Sequence, residues 1–291
     1  MTAAATLGDL AREGAAYLDA HEVPSAGFDA RVLLAHALGI SRSELLARLG
    51  EPAPARAVVG RFEEYLKRRG TRVPLQHITA VQEFWSLEFE VTPEVLIPRP
   101  ETELVVEEAL RRLPPGSTLL ADIGTGSGNI AVALARELPA SRVLAIDVSP
   151  RALEVARRNA ERHGVAPRIE FLLGDLAKPL EDNVGAGTLD FLVSNPPYVS
   201  PAELASLEPE VRDHEPLLAL TPAQGDGFAL YPALLEAAQR FLRPGGHVAL
   251  ELPMGGGDRV PALMAGRDAL ELLTVRSDYS GIPRILVARR R

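Results

Sequence analysis

Residues 122–131 read Asp-Ile-Gly-Thr-Gly-Ser-Gly-Asn-Ile-Ala and follow the apolar run Leu119-Leu120-Ala121. A short apolar strand that runs into alternating glycines and then into a helical pattern is a strand-to-helix turn. Its glycines let the backbone bend tightly and let a ligand approach main-chain atoms. Gly126 to Ala131 also fits the form G-x-G-x-x-A, which leaves a nicotinamide or flavin dinucleotide open as the ligand. Asp147 stands at the end of the next strand, where an acidic side chain accepts hydrogen bonds from ribose hydroxyls. Asp175 and Leu176 follow a third strand, where a carboxylate can accept from an adenine amino group while an apolar side chain packs on the ring. Three acidic strand ends over one loop, Asp122, Asp147 and Asp175, favour an adenosyl ligand without phosphates.

Working outward, strand patterns recur at 118–122, 142–147, 168–173, 189–194, 247–251, 269–274 and 284–288, with helical segments between most of them. This alternation predicts a parallel sheet with helices on both faces. Upstream, residues 1–70 read as short helices broken at Pro24, Gly39 and Pro52, with apolar spacing at Val32, Leu33, Ala37 and Leu38. Ser41 followed by Glu44 has capping-box spacing. Between the two regions, residues 83–91 show period-two alternation and read as a strand or hairpin carrying Trp85, for which packing is the expected role.

The fourth strand pattern ends in Ser194-Asn195-Pro196-Pro197-Tyr198-Val199-Ser200. Proline cannot donate to a sheet ladder, so Pro196 and Pro197 stop the strand and fix the torsions that follow. Taken alone such a tetrapeptide is a strand-ending turn. Its position changes the reading, because the strand adjoins the glycine-loop strand where a doubly wound sheet reverses its order, and such sheets place ligands at that carboxyl edge.

The chain has 291 residues, no cysteine and a net charge of −8. Disulfides and thiolate chemistry are therefore absent, and the six scattered histidines give no metal-ligand spacing. Residues 1–80 carry net +1 and the remainder net −9, which argues against a sequence-independent grip on nucleic acid. The basic run Lys67-Arg68-Arg69-Gly70-Thr71-Arg72 reads either as a contact for a polyanion or as a solvated helix C-terminus. The first six residues lack a signal-peptide pattern, and no run of 18 apolar residues occurs, so a cytoplasmic location without a membrane is expected.

Asp122 and Gly124 extend the loop to D-x-G-x-G-x-G, which resembles the first motif of S-adenosylmethionine-dependent methyltransferases. Asn195-Pro196-Pro197-Tyr198 in this position resembles the catalytic motif of those enzymes that modify a planar amide or amine nitrogen. Val95-Leu96-Ile97-Pro98-Arg99-Pro100-Glu101-Thr102-Glu103 makes the likeness specific. With the helical N-terminus, the chain resembles the release factor glutamine methyltransferase family over nearly its whole length. Further matches are Val73-Pro74-Leu75-Gln76, Glu215-Pro216, Gly225-Asp226-Gly227, Pro244-Gly245-Gly246 and the stretch from Asp278 to Arg284. His77, His214 and the stretch 252–257 depart from the family's pattern and bear on peripheral contacts more than on the chemistry.

The resemblance implies a doubly wound, seven-stranded, Rossmann-like class I methyltransferase domain at 99–291, preceded by a helical bundle at 1–80 that docks the release factor and a β-hairpin linker at 81–98. It implies S-adenosylmethionine as cofactor, held by Asp122, Gly124, Thr125, Gly126, Ser127, Gly128, Asp147, Asp175, Leu176 and Asn195. Asn195, Pro196, Pro197 and Tyr198 carry catalysis and substrate binding, and Arg99, Thr102 and Glu103 are cofactor-proximal candidates. The implied substrate is the glutamine of the Gly-Gly-Gln tripeptide in peptide chain release factors, and the implied protein is a monomer without metal. A ribosomal protein glutamine, a DNA adenine amino group, and a non-catalytic adenosyl-binding role on the same fold stand as rivals.

Overall fold

The computed structural model describes residues 6–113, 116, 118–222 and 225–291. Residues 1–5, on which the leader-peptide reading partly rests, lie outside them. The chain divides into two compact units: the described residues up to Val81 together with Glu208–His214, and Gln82–Leu207 together with Glu215–Arg291.

The first unit is a bundle of helices, Leu7–Asp19, Ala26–Leu38, Arg42–Ala47, Arg56–Gly70 and Leu75–Thr79. Two of them start in full capping boxes, Ser41 with Glu44 as the spacing predicts, and Thr6 with Asp9. Leu18, Leu33, Leu34, Leu45 and Phe62 are fully buried between them. The basic run is not wholly solvated. Lys67 and Arg68 are exposed in the last turn of Arg56–Gly70, but Arg69 is buried, bonded to Asp29 at 2.7 Å and paired with Glu210 at 2.8 Å. Arg72 pairs with the same Glu210 at 2.6 Å. Two of the run's arginines are thus neutralised inside the unit that carries them.

The second unit opens through a two-stranded hairpin, β1 (Val81–Phe84) and β2 (Leu87–Glu90). Its turn residues Trp85 and Ser86 both have φ of 55°, a region where side chains are strained. Two hydrogen bonds hold the turn there: Trp85 N donates to Glu103 Oε1 at 2.7 Å, and the indole Nε1 donates to Glu137 Oε1 at 2.9 Å. Trp85 also packs partly buried against the main core, where Phe84 and Phe89 are fully buried.

Seven further strands form one sheet in the order β5-β4-β3-β6-β7-β9-β8, where β3 is Leu119–Ile123, β4 Arg142–Asp147, β5 Ile169–Leu173, β6 Leu189–Ser194, β7 Leu242–Glu251, β8 Leu270–Ser277 and β9 Pro283–Arg290. Both faces are covered, as alternation along β3 shows: Leu120 enters one core with Val143, Phe191 and Val287, and Ala121 enters the other with Leu144, Leu192 and Leu286. This is the doubly wound arrangement expected, with all seven strands found within a few residues of their predicted places.

Two details differ from the sequence reading. The sheet is mixed, because β9 runs antiparallel to both β7 and β8. Only residues 278–282 join β8 to β9, and Asp278 closes them as a hairpin turn by accepting from Ser280 N and Ile282 N at 2.9 Å each. A crossover returning a parallel strand needs a dozen residues or more. In addition, β7 starts at Leu242 rather than 247, taking Pro244-Gly245-Gly246 into the strand at an irregularity opposite Leu189 and Phe191.

Registers align the carboxyl ends that matter. Ile123 pairs with Ile146 on one side and with Ser194 on the other. The residues just beyond, Gly124, Asp147 and Asn195, therefore emerge side by side at the point where the strand order reverses.

Candidate functional site

A cavity of about 650 Å³ opens at this edge, lined by Gly124–Ser127, Asp147, Asp175, Leu176, Asn195 and Pro197, with Pro98, Arg99, Thr102, Leu217 and Leu218 among the other walls. Every lining residue belongs to the second unit.

The glycine loop is held by its own amides. Gly124 N and Thr125 N both donate to Ile146 O at 2.9 Å, Gly128 N donates to Thr125 O at 2.8 Å, and Gly126 N donates to Asp147 Oδ2 at 2.9 Å. Gly124, Gly126 and Gly128 have φ of 76°, 54° and 80°, which side-chain-bearing residues rarely adopt. A pyrophosphate needs free amides at such a loop. Here four of the loop's amides are committed inward and the Asp147 carboxylate stands beside it, which disfavours a pyrophosphate. Gly128 does not line the cavity; an added Cβ would sit 3.0 Å from Ala156 Cβ, so this glycine admits the helix Pro150–Arg162 rather than a ligand.

Asp122 is fully buried beneath the loop, outside the cavity lining. Its Oδ2 accepts from Thr125 Oγ1 at 2.7 Å and from Ala131 N at 3.2 Å, whereas Oδ1 has no partner among the described residues. Burial pushes its pKa up to about 7, against the two hydrogen bonds that favour the charged form. An under-compensated buried carboxylate fits a ligand that carries positive charge, as S-adenosylmethionine does on its sulfonium and ammonium groups. Between the unfolded value of 3.8 and about 7 the folded chain binds the extra proton, so its stability falls as pH rises through that window. Thermal melts of the ligand-free protein should show a midpoint that declines from pH 5 to pH 8, and Asp122→Asn should flatten the decline; an unaltered slope in the variant would exclude Asp122 as its source.

Asp147 ends β4 with each oxygen holding one backbone amide, Gly126 N on Oδ2 and Ser149 N on Oδ1, both at 2.9 Å. Burial raises its pKa, and the backbone donors oppose that. Its carboxylate lines the cavity, where it can accept from a pair of vicinal hydroxyls. Asp175 also lines the cavity, but at its exposed mouth, where Oδ2 is paired with Lys178 Nζ at 2.9 Å. Leu176 beside it forms part of the wall with φ of 51°.

Asn195 and Pro197 face the cavity; Pro196 and Tyr198 do not line it. Tyr198 is turned inward, its hydroxyl 3.4 Å from Glu251 Oε1, and burial raises its pKa beyond the ordinary tyrosine value. The Tyr198 ring is thus not part of the cavity wall. Of the three cofactor-proximal candidates, Arg99 and Thr102 line the cavity, whereas Glu103 is directed to the Trp85 amide and does not. The correction has a simple cause: Thr102 and Glu103 are adjacent at the start of the helix Glu103–Arg112 and point to different sides of it.

Three residues carry the site that sequence reasoning left without a role. Glu215 is buried and accepts from Ile97 N at 3.1 Å and from Arg99 Nη2 at 2.5 Å, fixing Pro216, Leu217 and Leu218 as a wall; burial raises its pKa and Arg99 opposes the rise. Gly227 lies against the tetrapeptide 195–198, an added Cβ falling 2.2 Å from Tyr198 O. Glu251 is the carboxylate that closes β7; it accepts from Thr102 Oγ1 at 2.7 Å, and burial pushes it up to about 7 despite Arg284 nearby, with Glu101 adding to the rise. The signal for Glu251 was present, since an acidic residue ending the buried run Val248-Ala249-Leu250 needs a reason. None of His77, His214 and 252–257 lines the cavity, and no cluster of metal-ligating side chains occurs among the described residues. No helix among them is long and apolar enough to cross a membrane.

Comparison with known proteins agrees with this geometry. Residues 9–79 match the family described as PrmC N-terminal domain, and residues 99–267 match a methyltransferase domain. A release factor glutamine methyltransferase of Moorella thermoacetica is 46% identical across all of this chain and 99% of its own length. Its counterpart in Geobacter sulfurreducens is 41% identical across 94% of this chain and 93% of its own. Among solved structures, a methyltransferase from Pyrococcus furiosus shares the fold with a TM-score of 0.52 at 22% identity, covering 77% of this chain and 98% of that one.

Proposed function

The chain belongs to the release factor glutamine methyltransferase family, and from that premise we propose that it transfers a methyl group from S-adenosylmethionine to the side-chain amide nitrogen, N5, of the glutamine in the Gly-Gly-Gln motif of peptide chain release factors, supporting translation termination. One observation carries the reading: Asn195 stands beside the glycine loop in a single cavity with its amide NH₂ already engaged, donating from Nδ2 to Thr102 Oγ1 at 3.1 Å. Its Oδ1 remains as an acceptor for the target.

An amide nitrogen has its lone pair delocalised into the carbonyl and is a poor nucleophile. Bound S-adenosylmethionine supplies an electrophilic sulfonium methyl group; the protein's part is to hold the nitrogen and to favour its rehybridisation. Asn195 Oδ1 accepts an N–H of the glutamine. It becomes a better partner as positive charge grows on nitrogen, so it stabilises the transition state more than the ground state. Pro196 and Pro197 fix the backbone that follows Asn195. Leu217 and Leu218, half exposed on the wall, offer apolar contact to the target. Asp147 takes the ribose hydroxyls, Asp175 and Leu176 the adenine, and the carboxylate of Asp122 offsets positive charge from below.

The substrate is a protein and no direct contact with nucleic acid is needed, which the net charge of −8 supports. The relatives' names favour release factors over a ribosomal protein or DNA adenine. We read the protein as a cytoplasmic monomer in which residues 1–80 dock the release factor, residues 81–98 link, and residues 99–291 perform the chemistry. Mass spectrometry of release factors from cells with and without this protein tests the assignment; a Gly-Gly-Gln glutamine equally methylated in both would overturn it. Asp147→Ala should weaken S-adenosylmethionine binding by about 1–3 kcal/mol in calorimetry, because a charged hydrogen-bond acceptor is lost. Unchanged affinity would leave Asp147 only as a cap for Gly126 and Ser149.

A further inference from the structure

We propose that Thr102 and Glu251 are positioning residues that set the orientation of the Asn195 amide, forcing its oxygen toward the substrate. The proposal rests on the reading of Asn195 above and deepens it. The geometry is a relay of fixed polarity: Asn195 Nδ2 donates to Thr102 Oγ1 at 3.1 Å, and Thr102 Oγ1 donates to Glu251 Oε2 at 2.7 Å. A hydroxyl has one proton, and an ionised carboxylate can only accept. Thr102 must therefore give its proton to Glu251 and receive from Asn195, which turns the amide NH₂ away from the target and leaves Oδ1 for it. With the amide reversed, a donor would face the donor N–H of the glutamine.

Glu251 is well placed to impose this direction. It is 1% exposed, its backbone oxygen accepts from Tyr231 OH at 2.5 Å, and its second carboxylate oxygen faces Tyr198 OH at 3.4 Å. Neither Glu251 nor Tyr231 lines the cavity, so their influence passes through Thr102. Tyr198, whose ring is also off the wall, helps to hold the carboxylate that sets the relay. The tetrapeptide and the Thr102 stretch, far apart in sequence, thus meet at one buried carboxyl group.

The consequence differs from that of a structural contact. Removing the carboxylate frees the Thr102 proton to be given to Asn195 Oδ1, which captures the amide in the reversed orientation. Removing the hydroxyl as well lifts that capture. At pH 8.5, where Glu251 is ionised, Thr102→Val should lower kcat on a Gly-Gly-Gln release factor by about 10-fold and Glu251→Met by about 100-fold, as misorientation of a catalytic group does. Thr102→Ser should stay within about 3-fold of the unaltered chain, and calorimetric affinity for S-adenosylmethionine should stay within about 3-fold in all variants. The double variant Thr102→Val/Glu251→Met should be faster than Glu251→Met alone. Losses that multiply in the double variant, or Thr102→Val at the unaltered rate, overturn the relay. If Glu251→Met does not fold, the contrast between Thr102→Val and Thr102→Ser decides it. Failure of the unaltered chain to methylate the release factor, or full activity in Asn195→Ala, instead overturns the reading beneath it.

Discussion

Asn195→Ala will lower kcat on a release factor substrate by about 10²–10³, the loss seen when one preorganised polar group is removed from an active site. Affinity for S-adenosylmethionine will change far less, because Asp147 and the loop at Gly124–Ser127 remain in place. Asn195→Asp is the more discriminating variant. A carboxylate still accepts an N–H from the glutamine, but it adds negative charge beside the sulfonium and cannot donate to Thr102 Oγ1, so it should keep measurable activity where Asn195→Ala is nearly silent. Single-turnover methyl transfer to a release factor, with cofactor affinity measured in parallel, reads both effects. Wild-type rates in both folded variants would reduce Asn-Pro-Pro-Tyr to a strand-ending turn.

Gly227→Ala will lower kcat by about 10², although residue 227 bears no chemistry. The backbone there is not in the left-handed region, so alanine is conformationally acceptable; the obstacle is that its Cβ would lie 2.2 Å from Tyr198 O. That oxygen belongs to the main chain and cannot swing aside, so the tetrapeptide must shift. A displacement near 1 Å at reacting groups can cost about 10²-fold. Gly60→Ala is the control, because nothing lies within 4 Å of the added methyl and the rate should not change. Should Gly227→Ala turn over normally, the tetrapeptide's exact backbone position would not be what limits the rate.

Most of the fold was legible because both faces of the sheet are buried, which writes each strand as a short apolar run between glycine and proline breaks. Strand direction was not. The antiparallel β9 depends on the short turn at 278–282, and an apolar run such as Ile285-Leu286-Val287 reads the same in either direction. The glycine loop, Asp147 and Asn195 could be placed together because motif position and the switch-point rule fix backbone location. Side-chain direction was beyond that reasoning. Tyr198 turned to Glu251 and Glu103 to Trp85 because each met a partner distant in sequence, 53 and 18 positions away respectively. Glu251, Glu215 and Gly227 share that difficulty, since each acts on a segment that only the folded topology brings to it.

The unmatched oxygen of Asp122 is a cost carried by the folded chain alone, and it makes ligand binding matter for stability as well as for turnover. A ligand that binds only the folded chain adds to its stability by mass action, about 2.7 kcal/mol at a concentration one hundred times its dissociation constant. Here the folded state carries a buried acid that favours its protonated form, so the ligand-free chain has the least to spare near and above neutral pH. The chain should therefore melt at a higher temperature with S-adenosylmethionine present than without it, so that the methyl donor serves as a folding ligand as well as a reactant.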